Sequence, residues 1–491
     1  MLFNSWGYLL FFTLAASLHW LLPHRARVHL LWVGSLLFYG MWRWDFALLI
    51  VFSALVDYFC AQRIHASDDN GVRRRWLTLS LSINLGLLVV FKYSYFLSDN
   101  LVAIAGLAGY QGQGIRDLGF EIILPLGISF YTFQTISYSI DVYRRVRGPA
   151  DDFWTFLTYV TFWPQLIAGP ILRASEVLPQ IVAKRRFDLD RLQSGLMLIL
   201  VGLTKKVVFA DTLSIVVDQV YASDFSQATA FDVWVAAFLF GFQIYFDFAG
   251  YSDIAIGSAR VLGFDFPDNF NWPYLAVSPK DFWKRWHISL SSWIRDYLYL
   301  PLSGQQFQTR SAGGMAVAAE EKPLGNHRTQ LTFALFLTWF IMGLWHGAAW
   351  NFAIWGVYHA GLVYLYRLVR PLQKLPERWP VVAWGLTLML SMAGWIPFRA
   401  TSVDQTLVMF GRLLDPRAYH LSGRILIGYS YVAVAVLLVG MVACHLLRRW
   451  HARRPLPAWV LTPATALGVA LMVATLIALM RPVQQFIYFQ F

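Results

Sequence analysis

Gly343-Leu344-Trp345-His346-Gly347-Ala348-Ala349-Trp350-Asn351 lies inside residues 329–366, a 38-residue run without Asp, Glu, Lys or Arg. As one helix that run would extend roughly 57 Å at about 1.5 Å per residue. A bilayer's hydrocarbon core is only about 30 Å thick. The run must therefore cross, turn and return, and the natural turn is Gly347 to Asn351, directly after His346. Gly343 and Gly347 remove bulk on either side of the imidazole. An ionisable ring at that depth is costly, so function is its default hypothesis. A histidine hydrogen-bonded only for packing is the plain alternative.

Working outward, 57% of the 491 residues are hydrophobic, 14% are charged, and there are 22 Trp. Soluble domains carry about 25% charged residues, so this composition is that of a polytopic membrane protein with material for interfacial aromatic belts. The formal charge of +12 does not point to nucleic acid, because the basic residues fall in short clusters between apolar spans. Such clusters are topology signals. Cys60 and Cys444 lie far apart in apolar contexts and give no disulfide or metal framework.

The first span, residues 2–22, lacks a basic leader and is followed by Arg25 and Arg27, so it reads as an uncleaved helix with its N-terminus outside. Spans begin again at residues 30 and 46, and residues 76–97 cross outward. Residues 120–140 return, with a break at Pro125-Leu126-Gly127. Residues 153–171 carry Pro164 and Pro170, which argue for a broken or re-entrant segment. Irregular backbone at membrane depth requires protein or a cavity to satisfy it. Residues 192–217 hold Lys205 and Lys206, and the following spans hold Asp247 and Asp253. These charges either pair across helices or line a polar passage.

Residues 279–302 read as an amphipathic interfacial helix. Trp286, Leu290, Trp293 and Tyr297 recur on one face, opposite Asp281, Lys284, Arg285, Ser292 and Asp296. Residues 305–328 form the longest polar loop, expected to be mobile and cytoplasmic. The basic clusters keep parity over about eleven crossings, in one domain spanning residues 1–491 with its core motifs at about 120–360.

His287 and His346 stand out chemically. No H-E-x-x-H spacing supports zinc and no Gly-x-Ser-x-Gly elbow supports a serine nucleophile. A lone imidazole acting as general base fits better, deprotonating a hydroxyl poised against an activated acyl group. Apolar burial favours its neutral, basic form. A water-poor site limits hydrolysis of the donor.

Five ordered motifs resemble the membrane-bound O-acyltransferase (MBOAT) family, in the branch typified by the alginate O-acetylation membrane protein. They are PLGISFYTFQTISY at 125–138, PQLIAGP at 164–170, QIYFDFAGYSDIAIG at 243–257, DFWKRWHISLSSWIRDYL at 281–298 and GLWHGA at 343–348. The resemblance implies an all-α multi-helix body with re-entrant segments around a tunnel. The family's catalytic histidine falls on His346 and its second motif histidine on His287. It implies an O-acetyltransferase in a bacterial inner membrane, with no bound cofactor and no metal. Acyl-CoA, most simply acetyl-CoA, would enter from the cytoplasm. The acetyl group would pass towards a periplasmic or membrane-anchored acetyltransferase partner, within reach of a polysaccharide synthase complex, for exopolysaccharide O-acetylation.

Asp253 and Asp247 are candidates for the tunnel wall, with helix pairing as the alternative. Lys284 and Arg285 are candidates for donor phosphates, with snorkelling to lipid heads as the alternative. Trp345 and Asn351 are candidates for the site wall. Arg295 and Asp296 read as a surface pair, and His359 as packing. Two other functions remain open: acylation of peptidoglycan or teichoic acid, and transport with His346 as a proton relay.

Overall fold

The computed structural model describes residues 3–110, 112–119, 121–305, 310–312, 315–317, 328–422, 425–426, 428–454, 457–479 and 486–487. Apart from two three-residue strands, Arg310–Ala312 and Met315–Val317, its regular structure is helical. Those strands are the described part of the expected polar loop; the rest of residues 306–327 lies outside the described residues.

The axis of the body is Ala230–Val261, a 32-residue helix whose most apolar window is 83% buried. A reciprocal cap starts it: Thr229 Oγ1 accepts from Asp232 N, and Asp232 Oδ2 accepts from Thr229 N. Asp232 also accepts from Tyr431 Oη at 2.5 Å, which ties the Gly428–Arg453 helix to this end. The antiparallel helix Leu189–Leu203 packs on the axis through two glycine pairs one heptad apart. A Cβ on Gly195 would lie 2.9 Å from Gly257 O, and one on Gly202 would lie 2.6 Å from Gly250 O. Small residues let backbones approach this closely.

Among the described residues, six helices are long and apolar enough to cross a membrane, or seven if Trp350–Leu368 and Arg370–Arg378, bent by 83°, form one span. The expected count of about eleven is not reached by length and composition. Trp6–Leu21 has only 16 residues, and the chain from 121 to 173 is broken. The break at Pro125-Leu126-Gly127 is present: the next helix starts at Ile128, with Gly127 left-handed at φ 71°. The second broken segment folds as Phe153–Thr161, Trp163–Leu166 and irregular chain beyond. Backbone groups freed at both breaks find protein partners. Tyr39 Oη donates to Leu126 O at 2.8 Å, and Ile171 N donates to Ser289 Oγ at 2.9 Å.

One expectation needs correction. Residues 279–302 are not a continuous interfacial helix. They form Pro279–Arg285 and Ile288–Ile294, split at Trp286-His287, then a π-turn at Arg295–Tyr299. The apolar stripe is buried as anticipated, but part of the polar face is buried too. Asp296 is 1% exposed and receives Arg173 at 2.5 Å and Arg295 at 2.7 Å, so it is no surface residue. The amphipathic pattern is satisfied inside the body because Arg173 supplies a partner from a distant loop.

Candidate active site

The long uncharged run folds as the hairpin its length demands. Arg328–His346 ends at the histidine, and Trp350–Leu368 leads away from it. The two helices touch at glycine. A Cβ on Gly343 would lie 2.2 Å from Phe352 O, and one on Gly356 would lie 2.1 Å from Trp339 O. That close crossing, with the turn at 347–349, buries His346 to 5% exposure. Its ring meets Trp345, Trp355 and Phe398 at centroid distances of 4.8, 4.9 and 5.3 Å.

Two cavities lie along one face of the first hairpin helix. Leu335, Thr338, Trp339 and Met342 line a cavity of about 540 Å³, and Trp345 with His346 line another of about 70 Å³. Positions three and four apart share a helix face, so the lining continues along the helix and ends at His346. This helix face thus borders a large and a small chamber. Behind the small chamber's Trp345 lies a ring stack: Phe133 lies 4.0 Å from Trp293 and 5.0 Å from Trp345, nearly parallel to both. The large chamber carries Lys280, Lys284, Arg295 and Arg367 against Asp296. Asp296 is already shared by two arginines, so the wall is net cationic.

Among the candidate residues, Lys284 faces this chamber. Arg285 does not; it pairs with Asp281 at 2.9 Å on its own helix. Asp253 and Asp247 line neither chamber. Asp253 pairs with Lys205 at 2.5 Å. Asp247 and Asp211 bracket Lys206 at 2.6 and 2.7 Å, and Asp247 also accepts from Ile487 N. These are contacts between helices, the alternative reading of the sequence. Asn351 donates to Ala400 O at 2.8 Å, joining two helix ends outside the chambers. Trp345 is on the small chamber's wall. His359 packs among Trp283, Trp339 and Trp355.

His287 is fully buried, edge-on to Phe248 at 4.6 Å. A chain of rings connects it to His346: Trp286 to Trp395 at 4.7 Å, Trp395 to Phe398 at 5.5 Å, then Phe398 to His346. Packed aromatic rings thus link two segments whose histidines are 59 positions apart in the chain.

Lys92 was not singled out by the sequence reading. It sits on a π-turn, Val89–Tyr93, within a long apolar span. Its Nζ donates to Trp345 O at 2.5 Å and His346 O at 3.2 Å, and Tyr93 Oη donates to Leu344 O at 3.1 Å. Three carbonyls at the end of the His346 helix are thus capped from a neighbouring element, with the cation at the negative end of the helix dipole. Lys92 also lines the small chamber. The signal in the sequence was one cation, Lys92, inside the apolar run Leu87-Leu88-Val89-Val90-Phe91 to Tyr93.

The profile of MBOAT, the membrane-bound O-acyltransferase family, matches residues 148–319. Full-length relatives extend the match, and the chain belongs to this family. It is a membrane O-acetyltransferase. The probable alginate O-acetylase AlgI of Pseudomonas putida is 35% identical over 515 residues, covering 100% of both chains. That of Azotobacter vinelandii is 36% identical over 460 residues, covering 92% of this chain and 86% of its own. The peptidoglycan O-acetyltransferase of Helicobacter pylori is 35% identical over 408 residues, covering 77% of this chain and 72% of its own.

Proposed function

We propose that this enzyme carries acetyl groups from a cytoplasmic thioester, acetyl-CoA, towards a periplasmic partner protein that acetylates an exopolysaccharide, alginate-like or cellulose-like. The N-terminus is periplasmic and the membrane is the bacterial inner membrane. The large chamber, with four cationic side chains, receives the donor's phosphates from the cytoplasmic side. The small chamber, lined by Lys92, Gly127 and His346, receives the acceptor hydroxyl from the other side.

The observation that carries this reading is the position of His346. It ends the helix face that lines the donor-sized chamber and itself lines the smaller one. There it acts as general base. Its imidazole takes the acceptor's hydroxyl proton as the oxygen attacks the thioester carbonyl. The carbon–sulfur bond then breaks, and the imidazolium returns the proton to the leaving thiolate. Aromatic packing around the ring limits water and so hydrolysis.

General-base catalysis is typically worth roughly 10²–10⁴-fold. His346→Ala should lower acetyl transfer from labelled acetyl-CoA by about that factor while the protein stays in the membrane. Normal acetate content of the polymer in cells carrying the variant would exclude the mechanism. A second acceptor, peptidoglycan, is favoured by the Helicobacter pylori relative. Label recovered in cell-wall glycan instead of secreted polymer would select it. Polymer movement without label transfer would favour a transporter.

A further inference from the structure

Three lysines lie within apolar spans: Lys92, Lys205 and Lys206. Two of them are neutralised where they stand. Lys205 meets Asp253 at 2.5 Å, and Lys206 meets Asp247 and Asp211 at 2.6 and 2.7 Å. Among the described residues no carboxylate lies within ion-pair distance of Lys92. A charge at membrane depth is costly, and one that is kept there unpaired points to function.

Lys92 Nζ donates to Trp345 O and His346 O, and the Trp345 ring centroid lies 5.7 Å away. The two carbonyls and the negative end of the helix dipole favour the ammonium form. An ammonium has three N–H donors. Two serve the carbonyls, and no third acceptor is present among the described residues. The cation–π contact with Trp345 uses no N–H.

Lys92, Trp345 and His346 all line the small chamber, whose volume is about 70 Å³. One water in the liquid takes about 30 Å³. The space is therefore little larger than a small functional group, and a group reacting at His346 in it lies beside the ammonium. Leu126, Ile128, Phe130 and Ile167 make much of the remaining wall apolar. A charge in such surroundings acts far more strongly than in water.

We propose that Lys92 is a further catalytic residue, whose third N–H binds the oxyanion formed when the thioester carbonyl is attacked. This rests on the acyl-transfer reading above; the unpaired lysine beside His346 does not. The acceptor oxygen bonds to the carbonyl carbon as His346 takes its proton, and the carbonyl π pair moves onto the carbonyl oxygen. Lys92 donates its free N–H to that oxyanion and keeps all three protons. The pair then returns to carbon, the carbon–sulfur bond breaks, and the thiolate takes the proton from His346. Capping the helix and binding the oxyanion use different protons of one ammonium, so the same residue does both.

The test separates the two roles on the full-length protein in lipid. The probe is the non-transferable ketone analogue of acetyl-CoA, with a methylene in place of sulfur and carbon-13 at the carbonyl. Bound to the wild type, its carbonyl resonance should lie downfield of its position in buffer, because a hydrogen bond from a cation polarises the carbonyl. Lys92→Met should lose that displacement. So should Lys92→Gln, which keeps N–H donors without the charge and serves if the methionine variant fails to fold. Tyr93→Phe removes a cap bond from the same helix end and should keep the displacement. At saturating acetyl-CoA, transfer by Lys92→Met should fall on the order of 10²-fold, as when one oxyanion donor is removed. A bound carbonyl at its buffer position in an actively transferring wild type overturns the proposal and leaves the acyl-transfer reading intact. An unchanged displacement, or a wild-type transfer rate, in Lys92→Met or Lys92→Gln overturns it in the same way. A wild type that neither binds the analogue nor transfers label from acetyl-CoA overturns both.

Discussion

At the scale of single residues, His346 is defined by what holds its helix end. A helix terminus leaves carbonyls without intrahelical partners, and in this one Trp345 and His346 are buried. Lys92 and Tyr93 meet that need from another span. Hydrogen bonds to a charged group are worth about 1.5–3 kcal/mol, so Lys92 does more than fill space. Lys92→Met should free the last turn and misplace the ring, lowering the rate of acetyl transfer roughly 10-fold or more with little change in KM for acetyl-CoA. Lys92→Arg should recover part of the loss. A KM effect alone would instead make Lys92 a substrate contact that does not act on His346.

At the scale of elements, the hairpin depends on glycine at two facing positions. Gly343 and Gly356 allow backbone-to-backbone contact that any Cβ would obstruct, since the nearest atoms are carbonyl oxygens that cannot rotate away. Overpacking typically costs about 1–3 kcal/mol. Gly356→Ala should therefore lower the thermal midpoint of the purified protein. Gly361, on the same helix, has nothing within 4 Å of its Cβ position. Gly361→Ala should be neutral or stabilising by about 0.5–1 kcal/mol. Equal effects at both positions would show that packing against the His346 helix is not what selects glycine. The paired lysines act at this scale too. The π-turn at Thr204–Ala210 carries Lys205 and Lys206, each bound to an Asp of the axial helix. These bonds join elements and leave the chambers to other side chains.

At the scale of the whole molecule, the distribution of charge separates the two chambers. Lys280, Lys284, Arg295 and Arg367 surround the large one, whereas Lys92 is the cation among the described lining residues of the small one. An anionic donor is attracted to the first. Lys284→Gln combined with Arg367→Gln should raise KM for acetyl-CoA several-fold while leaving the saturated rate near wild type. The difference should shrink as salt is raised, because exposed charges are screened over about 10 Å at 0.1 M ionic strength. An unchanged KM at low salt would remove the phosphate-binding role from this wall.

Much of this was legible in the chain itself. A 38-residue run with no charge can only be a hairpin, because one helix of that length overshoots the bilayer, and the turn falls where glycine follows His346. Proline placement likewise predicted the breaks near residues 125 and 164. Periodicity misled at 279–302, since an amphipathic pattern specifies two unlike faces and not what each one meets. Only the tertiary structure could show that Asp296 meets Arg173 inside, that Asp247 and Asp253 are neutralised by neighbouring lysines, and that Lys92 caps the His346 helix. The physical reason is common to all of them. Local spacing fixes which residues share a helix face, but hydrogen bonds and ion pairs between distant segments depend on how the helices pack.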